Sequence, residues 1–287
     1  MSKYNVSQLI EKAMFVSLTI SQWSARKYDK KISKEIDRLY NAEEAGRFNK
    51  RLLDCSELKN IYNIAQRIRT WHYQNTLLWL EGQNILPSAN YFDYMKQFRD
   101  FKNEFDPAVK KFINRYQAMK KEAKKYLNGL YREDDYPGIH SLKSKFKCDV
   151  TISPMPSSDD FRISLSKSEI KKLSEDYENK IKHRLSLSAK ELWKRVYDVT
   201  KNLLNQLEGA GGKGKYIRPG LITNIQELIV LLPKLNITGD QNLENMRREL
   251  EAKMVGKDAP TLNENEGLRK STAKDVNDIL KRMKGYV

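Results

Sequence analysis

The chain has only two cysteines, Cys55 and Cys148, among its 287 residues. Neither belongs to a CxxC pair, which excludes a disulfide framework and fits a reducing compartment. Glycine and proline are also scarce, 13 and 8, too few for the many tight turns of a β-sandwich or barrel. No apolar run reaches the roughly 18 residues of a membrane span. The stretch from Ala13 to Ile20 is short, contains Ser17 and Thr19, and lacks a small-residue cleavage site, so it does not read as a signal peptide. The expectations are a cytoplasmic location and no membrane partner.

Catalytic signals are missing too. The three histidines, His72, His140 and His183, have no metal-ligand spacing, and no HExxH is present. The acidic pairs Asp134-Asp135 and Asp159-Asp160 fall in predicted turns, where Asp serves the backbone. The segment Gly209-Ala210-Gly211-Gly212-Lys213-Gly214-Lys215-Tyr216 comes close to a phosphate loop. That motif ends in Ser or Thr to hold magnesium, and it follows a strand. Here Tyr216 takes the hydroxyl position and the preceding segment reads as a helix. A flexible basic loop is the better reading. No metal, cofactor or catalytic residue is expected, and the chain does not read as an enzyme.

What the chain does have is positive charge. Against 37 acidic residues stand 53 Lys and Arg, a formal +16, with a pI near 9.6. Such a balance points to a polyanionic partner, of which nucleic acid is the commonest. The excess is concentrated in two stretches. Phe101 to Lys125 holds eight basic residues against three acids, and Lys167 to Arg195 holds nine against five. Either could be a solvated helix face, but two in one chain favour a binding surface. Candidate phosphate contacts are Lys110, Lys111, Lys120, Lys121 and Lys124 on the first face. Lys213, Lys215 and Arg218 in the glycine-rich loop join them, with Tyr216 available to stack on a base. Most other aromatics recur at helical spacing and read as core.

Apolar periodicity predicts a mostly α protein. Leu9, Ala13, Phe15, Val16 and Ile20 mark an apolar patch in a first, helical part, and Ile32, Ile36 and Tyr40 repeat at steps of four beside Leu39. Ser56 opens a helix that runs toward Trp79, and Gly82 and Pro87 bracket a turn. A helix from about Tyr91 breaks at Asp106-Pro107 and restarts there. Alternation at Cys148, Val150 and Ile152, and again at Phe161, Ile163 and Leu165, predicts a small β-ribbon at about 147–166. Ser166 and Glu169 form a capping box for a helix to about Glu208. Its seam of Ile170, Leu173, Tyr177, Ile181, Leu192, Val196, Leu203 and Leu207 wants a helical partner along its length. The Pro107–Leu130 helix is the natural one, giving a long antiparallel helical hairpin. A second subunit, and thus a homo-oligomer, is the alternative. The expected organisation is a helical domain over 1–208, a Gly/Lys-rich loop over 209–220, a small helical region over 221–254, and a linker with a terminal helix over 255–287.

Two short segments stand out: Ser21-Gln22-Trp23-Ser24-Ala25-Arg26-Lys27-Tyr28-Asp29-Lys30-Lys31 and Gly46-Arg47-Phe48-Asn49-Lys50, with Ile85-Leu86-Pro87 further on. Over roughly the first 165 residues this ordering resembles a family of phage and bacterial proteins of unknown function with a WSGRK-like motif. Ala25 stands where that motif has Gly. The residues that carry the resemblance are Trp23, Arg26, Lys27, Arg47 and Asn49. Genes of that family often lie near a MoxR-like AAA ATPase and a von Willebrand A-domain protein. The resemblance therefore implies a phage or mobile-element origin and an AAA ATPase partner, and it carries over no catalytic residue. Two functions follow as expectations. One is a non-enzymatic nucleic-acid-binding protein, with DNA the expected form. The other is an oligomeric adaptor or scaffold working with an AAA ATPase.

Overall fold

The structure is a computed structural model that describes residues 11–156, 166–211 and 216–287. It is mostly α with a small antiparallel sheet. The strands are β1 (Ala13–Ser21), β2 (Arg26–Tyr28), β3 (Asn49–Arg51), β4 (Leu77–Leu80), β5 (Gln83–Pro87) and β6 (Lys147–Pro154). The helices are α1 (Lys30–Leu39), α2 (Ser56–Gln74), α3 (Tyr91–Leu127), α4 (Ile139–Lys143), α5 (Lys167–Gly209), α6 (Pro219–Leu235), α7 (Gln241–Met254), α8 (Ala259–Glu264) and α9 (Glu266–Met283). Short 3-10 turns fall at Asn128–Leu130 and Glu133–Asp135.

The chain forms two compact units. One comprises Leu18–His72 and Met95–Thr151; the other comprises Met1–Ser17, Tyr73–Tyr94 and Ile152–Val287. These units are discontinuous in sequence and do not follow the serial division at 208, 220 and 254. Each has its own core. In the first, Trp23, Ile61, Ile68, Phe105, Phe112 and Tyr116 come together. In the second, Phe15, Trp79, Ile85, Leu192, Leu203, Ile225 and Ile279 do so.

Several elements differ from the periodicity reading. Ala13 to Ser21 is a strand, not part of a helical patch, and pairs antiparallel with β5 through Phe15 opposite Ile85. Its β-branched Val16, Thr19 and Ile20 suit a pleated surface. The helix opened by Ser56 stops at Gln74, and Leu77–Leu80 turns back on Gln83 as a hairpin with Gly82 at φ 76°. Pro107 does not break α3, which runs unbroken through it. An internal proline costs about 3 kcal/mol, but Phe101, Phe105, Phe112 and Tyr116 on both sides are buried in one core, and burying each is worth a comparable amount. Pro233 likewise lies inside α6. Much of the expected linker is helical, as α8 and the start of α9. Strand β6 joins the four-stranded order β4-β5-β1-β6, while the predicted second ribbon strand, with Phe161, Ile163 and Leu165, lies outside the described residues.

The capping box at Ser166 and Glu169 is formed, and α5 extends to Gly209. Its seam packs on α9, α6 and β4. The Pro107–Leu130 segment instead buries Phe112, Tyr116, Met119 and Ala123 with α2 in the other core. The seam from Ile181 to Leu207 is thus covered within its own unit, while Leu173 nearer the start of the helix is 37% exposed. Helix α5 also closes the edge of β4 and the chain leading into it. Arg195 donates to the Gln74 and Thr76 carbonyls at 2.8 and 3.2 Å, and Arg184 to Trp79 O at 3.4 Å. Ser188 Oγ donates to Leu78 O. These side chains occupy carbonyls that an exposed edge would offer to another strand.

His72, near the end of α2, is buried, and burial lowers its pKa from 6.5 to about 4. Between those pH values the unfolded chain holds the extra proton, so stability falls as pH drops from 6.5 toward 4, by up to about 3 kcal/mol. Urea denaturation at pH 7 and pH 5 should register this loss. A His72→Gln variant should lose that part of the pH dependence; an unchanged slope would remove His72 as its source.

Candidate functional site

The two motif segments meet in space. Strands β2 and β3 pair antiparallel, with Arg26 opposite Arg51, Lys27 opposite Lys50 and Tyr28 opposite Asn49. The ribbon continues by two backbone bonds, Leu52 N to Ala25 O at 2.8 Å and Asp29 N to Phe48 O at 3.0 Å. Ala25 sits at φ 51°, in the left-handed region that glycine adopts without strain. That gives a conformational reason for Gly in a WSGRK-like motif. Trp23 is core: it packs edge-on to Tyr116 at 5.8 Å, and its carbonyl accepts from Tyr62 Oη at 2.6 Å.

Lys50 anchors the ribbon from inside. Its side chain is 1% exposed, with Nζ 2.6 Å from Asp135 Oδ2 and 3.4 Å from Asp29 Oδ2. It also donates to the Leu130 carbonyl at 2.7 Å. Asp29 is the N-cap of α1, accepting from Lys31 N and Ile32 N at 3.1 and 3.2 Å. The Ile32 N–H, together with Lys50, holds its carboxyl below the usual range. Tyr126 and Tyr136 both donate to Leu52 O, at 2.6 and 3.0 Å. The end of α3 and the 128–136 segment are thereby tied to β3.

Around this anchor lies a cavity of about 470 Å³, lined by Lys27, Tyr28, Lys30, Lys31, Lys34 and Arg132 together with Asp29 and Asp135. Both carboxylates lie within ion-pair distance of Lys50, and Arg132 also helps to lower the pKa of Asp29. Among the described residues Lys27, Lys30 and Lys34 have no carboxylate partner, and Lys31 lies 4.0 Å from Glu35. The first turn of α1 carries Lys30 and Lys31 and no acid. Cations there oppose the helix dipole, which favours anions at an N-terminus. A bound anion would relieve both this conflict and the mutual repulsion of the cations.

The unit that holds this cavity is the basic one. Leu18–His72 and Met95–Thr151 contain 26 basic against 15 acidic residues, a net +11 of the chain's +16. The lysine face of α3 belongs to it. Lys110, Lys111, Lys121 and Lys124 are exposed. Lys124 lies over the Tyr131 ring at 5.9 Å. Lys120 is largely buried, pairs with Glu133 and sits over Tyr136 at 5.5 Å. In the other unit four cations of the basic stretch of α5 pair one turn away, among them Lys182 with Glu178 at 3.4 Å and Arg195 with Glu191 at 2.9 Å.

Lys213 and Lys215 lie outside the described residues. The ends of their loop are built. Gly211, at φ 100°, could not carry a Cβ without coming 2.8 Å from Arg269 Nη2. Asn263 grips Ile217 through both its N–H and its carbonyl, at 2.7 and 3.0 Å. Arg218 caps α6 and is exposed, as is Tyr216. The segment before the loop is helix α5, not the strand a phosphate loop follows.

Sequence reasoning passed over Lys30, Lys31, Lys34 and Arg132. The dense run from Arg26 to Lys34 was the available signal, but Arg132 is brought in only by the fold. Burial pushes the Cys148 thiol up to about 11, and Cys55 is raised for the same reason, so neither is a ready nucleophile at neutral pH. Among the described residues no cluster of His, Cys, Asp or Glu is arranged to hold a metal ion, and no helix is long and apolar enough to cross a membrane. No protein-family model, curated protein or solved structure matches the chain.

Replacing Lys50 by Met leaves the Asp29 and Asp135 carboxylates without their cation. The loss should be about 3–5 kcal/mol, read by urea denaturation. A loss below about 1 kcal/mol would show that water reaches those carboxylates freely.

Proposed function

We propose that this is a non-enzymatic nucleic-acid-binding protein, with DNA the expected form and its principal contact surface on the basic unit. The observation that carries the reading is the cavity beside Lys50, where Lys27, Lys30, Lys31, Lys34 and Arg132 converge. Asp29 and Asp135 offset only part of the charge of these five cations, which gather beside the positive end of α1. The exposed lysines of α3, and Lys213, Lys215 and Arg218, would add phosphate contacts. The resemblance carried by the two motif segments adds a phage or mobile-element origin to the proposal.

Binding to labelled single- and double-stranded DNA should weaken steeply with salt, because each neutralised phosphate releases counterions. A Lys27→Ala, Lys34→Ala, Arg132→Ala variant should lower the slope of log affinity against log salt by about one per contact removed. Replacing Lys213, Lys215 and Arg218 together tests the loop in the same way. Affinity no greater than that of an unrelated basic protein would overturn the reading.

A second reading, an oligomeric adaptor working with an AAA ATPase, has one observation in its favour. Helix α1 buries only Ser33 and leaves Ile36, Leu39 and Tyr40 exposed at 42, 74 and 73%. Apolar side chains so grouped often mark an interaction face. Light scattering at high concentration should then show dimers or larger species that an Ile36→Glu, Leu39→Glu variant loses; a clean monomer counts against the oligomer.

A further inference from the structure

Two cavities border the ribbon, and aromatic residues are among the lining of both. Tyr28 lines the basic cavity and is 43% exposed. The Arg47 guanidinium lies 5.6 Å from its ring centroid. A second cavity, of about 450 Å³, is lined by Phe48, Lys50, Arg51 and Tyr126 among others. There Arg51 is paired with Asp54 at 2.6 Å, so the free positive charge lies on the Tyr28 side. Tyr28 therefore stands on the ribbon beside the cations of the basic cavity.

We infer that this ribbon binds single-stranded nucleic acid, with backbone phosphates at Lys27, Lys34 and Arg132 and one unstacked base against Tyr28. The inference rests on the nucleic-acid reading above and deepens it. Phosphates alone would not distinguish strands, since duplex and single strand both offer them. An exposed ring set among the cations changes that. A single strand has base faces to stack on it, whereas in a duplex those faces already stack on their neighbours. Arg47 lies over one face of the ring, so the base would take the opposite face, with the guanidinium completing the stack as a cation–π partner. Tyr28 pairs through its backbone with Asn49, so the ring can be replaced without removing a ladder bond.

The test is fluorescence anisotropy of the full chain with a labelled oligothymidylate and a duplex of equal length, across a salt series. Tyr28→Phe and Tyr28→Leu are the variants; Leu keeps apolar bulk and removes the π-face, and circular dichroism checks folding. The wild type should prefer the single strand. Tyr28→Leu should weaken single-strand binding roughly tenfold, leave duplex binding and the salt slope unchanged, and Tyr28→Phe should behave as wild type. Equal loss on both substrates, or no loss on either, would overturn the single-strand assignment and leave the broader reading standing. Failure of the wild type to bind either strand would overturn both.

Discussion

Lys50 carries a full positive charge into a place where 1% of its side chain meets solvent, between Asp29 and Asp135 and against the Leu130 carbonyl. Taking a charge out of water is expensive unless it is paired and hydrogen-bonded, so this ammonium constrains everything it touches. It holds β3 to the turn after α3 and fixes the carboxylate that caps α1. It offsets one of the two negative charges of Asp29 and Asp135. The neighbouring cavity stays basic because its five cations, Lys27, Lys30, Lys31, Lys34 and Arg132, outnumber those acids.

Structure and binding surface are coupled at this corner. The α1 cap, the left-handed turn at Ala25 and the paired strands place Lys27, Lys30, Lys31 and Lys34 on one side of the ribbon, and the turn after α3 brings Arg132 to them. Cations crowded at a helix N-terminus destabilise the free protein slightly and gain when an anion arrives. The other unit handles its charges differently. Its long helix pairs many of its lysines and arginines with acids one turn away and uses Arg184, Arg195 and Ser188 to seal the β4 carbonyls. Two basic stretches that look alike by composition are both only partly paired, and the one on α5 also spends Arg184 and Arg195 on the sheet edge.

Much of this was legible without coordinates. The mostly helical class, the capping box at Ser166 and the alternation at Cys148, Val150 and Ile152 all rest on interactions between near neighbours. The strand at Ala13–Ser21 was missed because a short apolar run is compatible with either period. The break expected at Pro107 was overridden by aromatics on both sides of it. Of the candidate site, Lys27, Arg47 and Asn49 were legible as a motif, and the lysines of α3 as a face. The cavity itself was not, because Arg132 and Asp135 lie about 80 to 105 positions from the residues they join.

Local chemistry thus set the charge balance, the helical character, the caps and the dense basic run after Trp23. The chain's long-range packing assigned a partner to each apolar face and sorted the charges into paired and unpaired. It covered the α5 seam from Ile181 to Leu207 with α9 and α6, divided the molecule into units that alternate along the sequence, and placed +11 of the +16 in one of them. The physical reason is range. Helix periodicity and capping act over three or four residues, whereas apolar faces and buried charges find partners wherever burial is greatest, and sequence spacing does not encode that distance.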